Sequence, residues 1–171
     1  MSRGLVLVIL GWLVLMLEIS LTPLIPFGPF RPDAVAVIVL TLALKGGDPF
    51  EGLVVTFLLA SMLDILGGGL VGLELVSLTA MFTLAVGLVN RVFLGNVLAR
   101  SAIGWLLLAF RGLVSVLLLR LYDPDGGVAL MVLRDLIPST LATGALFVAA
   151  FGPLTRLLAR LSPPFEERWA G

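Results

Sequence analysis

Five apolar runs follow one another along this chain, each close to the roughly 20 helical residues that a bilayer core of about 30 Å demands, with a sixth, shorter run among them. In lipid every backbone N–H and C=O must find a partner within the protein, so runs of this kind commit the chain to transmembrane helices. The stretches between them are too short for a soluble domain. Composition agrees. Of 171 residues 60% are hydrophobic and only 13% charged, about half the share of a soluble domain, and mean hydropathy is +1.17. Net charge is zero and histidine is absent, so nothing points to nucleic acid as a partner. With no cysteine, disulfides, thiolate metal sites and a cysteine nucleophile are all excluded.

The runs predict helices over residues 4–21, 33–44, 50–66, 70–89, 101–119 and 128–155, giving an all-α integral membrane protein with six transmembrane helices in one domain spanning 1–171. The first run contains Glu18 and is followed by no small-x-small cleavage site, so it reads as a retained helix rather than a signal peptide. Pro23, Pro26, Pro29 and Pro32 forbid regular helix just before the second run. Asp33 then stands at a helix N-terminus, where the dipole favours a carboxylate. A second helix of 12 residues rises only about 18 Å, so the irregular Pro-rich lead-in is expected to complete that crossing. Gly67, Gly68 and Gly69 fold the third and fourth helices into a tight hairpin, residues 90–100 form an amphipathic connector, and residues 122–127 make a turn before the last helix.

Basic residues set the orientation. With six crossings and a cytoplasmic N-terminus, Arg3, Lys45, Arg91, Arg100, Arg156, Arg160 and Arg168 fall inside, against Arg31 and Arg120 outside. Both termini are then cytoplasmic. On that topology six ionisable residues within the apolar runs collect at or beyond the midplane on the outer side: Glu18, Asp64, Glu74, Arg111, Arg134 and Asp135. Each is costly in hydrocarbon and must face the interior or water and find a partner. Arg111 is expected to pair with Asp135 or Glu74. Two readings of the cluster stand side by side: structural ion pairs and snorkelling ends, or an outward-facing polar cavity that binds a ligand or a partner's helix. Pro138 places a kink and a freed carbonyl at Arg134 and Asp135.

No nucleophile–base pair, nucleophile elbow or phosphate-binding glycine loop can be found, so no catalytic residue, metal site or cofactor is expected. Gly67-Gly-Gly-Leu-Val-Gly72 has no basic residue near it and reads as a hairpin that lets helices approach closely. Gly72 in that hairpin and Ser139, Thr143 and Gly144 on the last helix offer small and polar faces for a partner helix.

Phe30-Arg31-Pro32-Asp33, the Pro49 and Gly52 connector, and Asp64-x-Leu66-x-Gly68-x-Leu70-x-Gly72 resemble the motifs of the rod shape-determining protein MreD family. Glu74 stands where many members have histidine. The resemblance rests on Arg31, Pro32, Asp33, Asp64, Gly68 and Gly72. It implies a non-enzymatic inner-membrane component of the bacterial cell-elongation machinery. Such a protein binds MreC, acts alongside MreB, and connects to RodA and its transpeptidase partner in peptidoglycan synthesis and maintenance of rod shape. That family in turn resembles the substrate-binding subunits of energy-coupling-factor transporters, which implies an alternative: the binding subunit of a small-molecule (vitamin) uptake system.

Overall fold

The structure is a computed structural model in which residues 3–21, 30–45, 48–67, 70–89, 97–122 and 127–161 are described. Within these the chain forms six helices and no strand: α1 (Arg3–Leu21), α2 (Ala34–Lys45), α3 (Pro49–Leu66), α4 (Leu73–Val89), α5 (Val97–Tyr122) and α6 (Gly127–Leu161). Four of them, α1, α3, α5 and α6, are long and apolar enough to cross a membrane, while α2 and α4 are shorter apolar helices. Residues 23–29 of the Pro-rich lead-in, Gly68, Arg91 and Arg168 lie outside the described residues.

Among the boundaries that differ by three residues or more from those the sequence suggests, three have a local reason. Residues 70–72 form a turn rather than the start of α4, because Gly72 adopts φ 94, a left-handed conformation that does not continue a helix. α5 begins four residues early, at Val97, because Val97-Leu-Ala-Arg100 contains no breaker. α6 runs on to Leu161 through both Pro138 and Pro153, so neither proline ends it.

Helix α2 is the axis of the fold. All ten residues from Val35 to Leu44 are buried, which explains why this helix is apolar on every side. Around it the other helices pack in sequence, α1 on α3, α3 on α4, α4 on α5 and α5 on α6. Leu7 and Leu15 of α1, Leu59 of α3, Leu78 and Met81 of α4, Leu107 of α5 and Phe147 of α6 complete the core. Since lipid is as apolar as these side chains, association depends on close fit more than on hydrophobic burial. Glycines supply the fit. Gly11 lies under Leu59, Gly52 under Phe82, Gly104 under Phe147 and Gly144 under the Trp105 ring.

Polar contacts fix the direction of each helix. Glu18, near the end of α1, and Asp33, just before α2, sit together. Asp64, near the end of α3, bonds the start of α4. The four shorter elements therefore bring one end each to a common point. α5 reaches that point at Arg111, and α6 reaches it at Ser139 and Thr143. Beyond it, residues 112–122 of α5 and 127–138 of α6 project as a hairpin by roughly 16 Å at 1.5 Å per residue.

Candidate functional site

The common point is a network of carboxylates around one guanidinium, and it is built from helix ends. A helix N-terminus leaves N–H groups without intrahelical partners, and in an apolar setting these must be met by side chains. For α2 the Asp33 carboxylate accepts from the Ala36 N–H at 2.8 Å, and Glu18 of α1 accepts from the Ala34 N–H at 3.2 Å. The Asp33 N–H itself donates to Thr143 Oγ1 of α6 at 3.0 Å. The Ser139 hydroxyl of α6 donates to the Arg31 carbonyl at 3.4 Å.

For α4 the cap comes from another helix. Asp64 Oδ1 accepts from the Glu74 N–H at 2.9 Å, and its Oδ2 accepts from the N–H groups of Gly72 and Leu75 at 3.0 and 3.1 Å. One buried carboxylate thus satisfies three backbone donors and closes the α3–α4 hairpin. The positive φ of Gly72 turns its N–H into that set.

Arg111 joins the two capped ends. Its Nη1 pairs with Asp33 Oδ2 and its Nη2 with Glu74 Oε2, both at 2.5 Å, while its Nε is buried without a hydrogen-bond partner. Side-chain exposure is 14% for Arg111, 18% for Asp33 and 26% for Glu74, so the pairs are largely desolvated and each side chain depends on the others for its charge. Of the two acids expected to meet Arg111, Glu74 does so. The second partner is Asp33 rather than Asp135.

Asp135 and Arg134 are exposed, and neither forms an ion pair among the described residues. Asp135 lines a cavity of about 270 Å³ between α4, α5 and α6, together with Ser115, Thr140 and the Arg111–Glu74 pair. A larger cavity of about 490 Å³ opens on the other side of that pair. Glu18, Arg31, Asp33, Asp64, Glu74, Arg111 and Ser139 line it, over walls of Leu15, Leu63 and Leu73. Five of the six expected cluster residues therefore border one of two adjoining cavities. Arg134 borders neither.

The small residues of α6 are committed within the chain. Thr143 is buried and holds the Asp33 N–H, and a Cβ added at Gly144 would sit 2.6 Å from the Trp105 ring. Pro32 precedes Asp33, half-buried, and Gly68 lies outside the described residues. The role of Asp33 at the centre of the network went unrecognised in the cluster of intramembrane charges, since it lies before a helix rather than inside an apolar run. Its position at the N-terminus of a helix too short to span was the available signal. Comparison with protein-family models, with curated proteins and with solved structures finds no match.

Proposed function

We propose that this chain is a non-enzymatic membrane scaffold of the MreD kind, a component of the bacterial cell-elongation machinery. It lies in the inner membrane with six crossings and both termini cytoplasmic, and it binds MreC. Through that partner it acts with MreB, RodA and the RodA transpeptidase to organise peptidoglycan synthesis. The observation that carries this reading is the use made of the two motif segments. Asp33 and Asp64 lie 31 positions apart, yet both serve the same junction, one capping α2 and pairing with Arg111, the other capping α4. Carboxylates held by backbone N–H groups and a guanidinium are fixed in position. Such groups suit a rigid frame better than proton transfer.

The proposed topology sets the depth. With Lys45 at the cytoplasmic side, closing α2 at the end remote from the network, a 12-residue helix rising about 18 Å would carry the network into the outer half of the bilayer. The direct test is co-purification of the tagged chain with MreC from its own membranes. Capture of MreC at near-equal stoichiometry is the expected result, and a monodisperse sample that leaves MreC behind would refute the proposal.

The 490 Å³ cavity favours a second reading, since it falls within the range of small-molecule sites. On that reading the chain is the substrate-binding subunit of an uptake transporter. A vitamin retained stoichiometrically through purification, without MreC, would establish it.

A further inference from the structure

Helix α6 turns one side to the bundle. Leu136 faces Gly112, Thr143 meets Asp33, Gly144 sits under Trp105 and Phe147 is buried over Gly104, so α5 and α2 cover that side. The opposite face carries Pro138, Ala142, Ala145, Ala149 and Gly152, spaced by alternating steps of four and three. Ala145, Ala149 and Gly152 are exposed, and a Cβ added at Gly152 would meet nothing within 4 Å. Toward the α5–α6 turn, Arg134 and Asp135 stand on either side of this line, since adjacent residues diverge by about 100° around a helix. Both are exposed, and neither forms an ion pair among the described residues. Neighbours in sequence do not face each other on a helix, and no charged residue lies three or four positions from either one.

We propose that this face of α6 is the contact between two copies of the chain, paired about a two-fold axis parallel to the helix. This rests on the membrane character of the chain alone and holds whichever partner or cargo the protein serves. Charge complementarity selects the second copy. Two copies inserted the same way round present α6 to α6 in parallel and at one level. Two-fold symmetry then sets the Arg134 side of one helix against the Asp135 side of its partner, and repeats the pair across the axis. The dimer therefore forms two ion pairs that a single α6 cannot make with itself. A bound anionic lipid would answer Arg134 and leave Asp135 without a counter-charge. The line of small residues lets the two backbones approach, and close packing is what drives helix association in lipid.

The chain has no cysteine, so one introduced thiol can form a disulfide only with another molecule. In native membranes under mild oxidation, Ala145→Cys and Ala149→Cys should each give a covalent dimer. Leu13→Cys, equally exposed but on α1, should not. For the full chain in neutral detergent, sedimentation equilibrium measures the dimer constant. Arg134→Asp or Asp135→Arg places like charges across the axis and should weaken the dimer about tenfold or more. The exchange Arg134→Asp/Asp135→Arg restores both pairs and should return the constant close to that of the parent. Should one single variant fail to fold, the other and the exchange carry the test. A monomer at every concentration, or equal cross-linking at Leu13→Cys, would overturn the proposal. So would an exchange variant no tighter than the single ones, or α6 thiols that cross-link only to a different protein.

Discussion

Arg111 is the residue on which the polar junction turns. Removing one member of a buried ion network leaves the remaining charges without compensation, so Arg111→Gln should lower stability by about 3 kcal/mol or more. The measurement is thermal unfolding of the purified protein in detergent. A companion variant, Asp33→Asn/Glu74→Gln/Arg111→Gln, removes the stranded charges as well and should recover part of the loss. An unshifted midpoint for Arg111→Gln would mean that the network contributes nothing. Asp64 acts through three backbone N–H groups rather than through an ion pair, and Asp64→Ala should cost about 1–2 kcal/mol, as loss of a helix cap does. Sequence alone went some way at this scale. Glu74 was legible as a partner for Arg111, since both fall inside apolar runs and each needs an opposite charge. Asp33 was not, because its pairing crosses 78 positions and no periodicity announces it. Asp135 was the natural alternative by depth, but depth does not decide which carboxylate a guanidinium reaches: Asp135 lines the cavity beside the Arg111–Glu74 pair without forming an ion pair to it.

Helix positions were legible because apolar runs broken by glycine and proline leave little choice of where a membrane helix can lie. Helix contacts were not, because in a chain this apolar every face of every helix looks alike. Gly144 shows the difference. Its neighbours Thr143 and Ser139 make a small, polar surface that suits a partner helix, yet Trp105 of α5 already fills the hollow. Gly144→Leu should therefore disrupt the α5–α6 pair itself, and even Gly144→Ala should cost about 1–3 kcal/mol from overpacking. Combining Gly144→Ala with Trp105→Leu should relieve the clash and return part of that loss. A stability effect unchanged by the Trp105 substitution would show that the two do not meet. Gly72 differs in kind. Space around it is open, but its φ of 94 disfavours any side chain, so Gly72→Ala should cost roughly 1–2 kcal/mol through backbone strain alone.

Viewed as a whole, the molecule is a short bundle around α2 with one longer hairpin, α5–α6, rising past it. If six segments cross, reporters placed after Arg160 and within residues 123–127 should be active on opposite sides of the membrane, and activity on the same side would exclude that topology. The central position of α2 also bears on how the protein is made. Twelve residues are too few to hold a place in the bilayer unaided, and α2 draws much of its surroundings from α6, the last of the described helices to be synthesised. Insertion and final assembly must then be separate events: the early helices enter the membrane in order, while α2 and its Asp33 wait for Thr143 to arrive. A chain stopped after Tyr122 should enter the membrane and still be cleared by quality-control proteases, and supplying α6 as a separate peptide should rescue it.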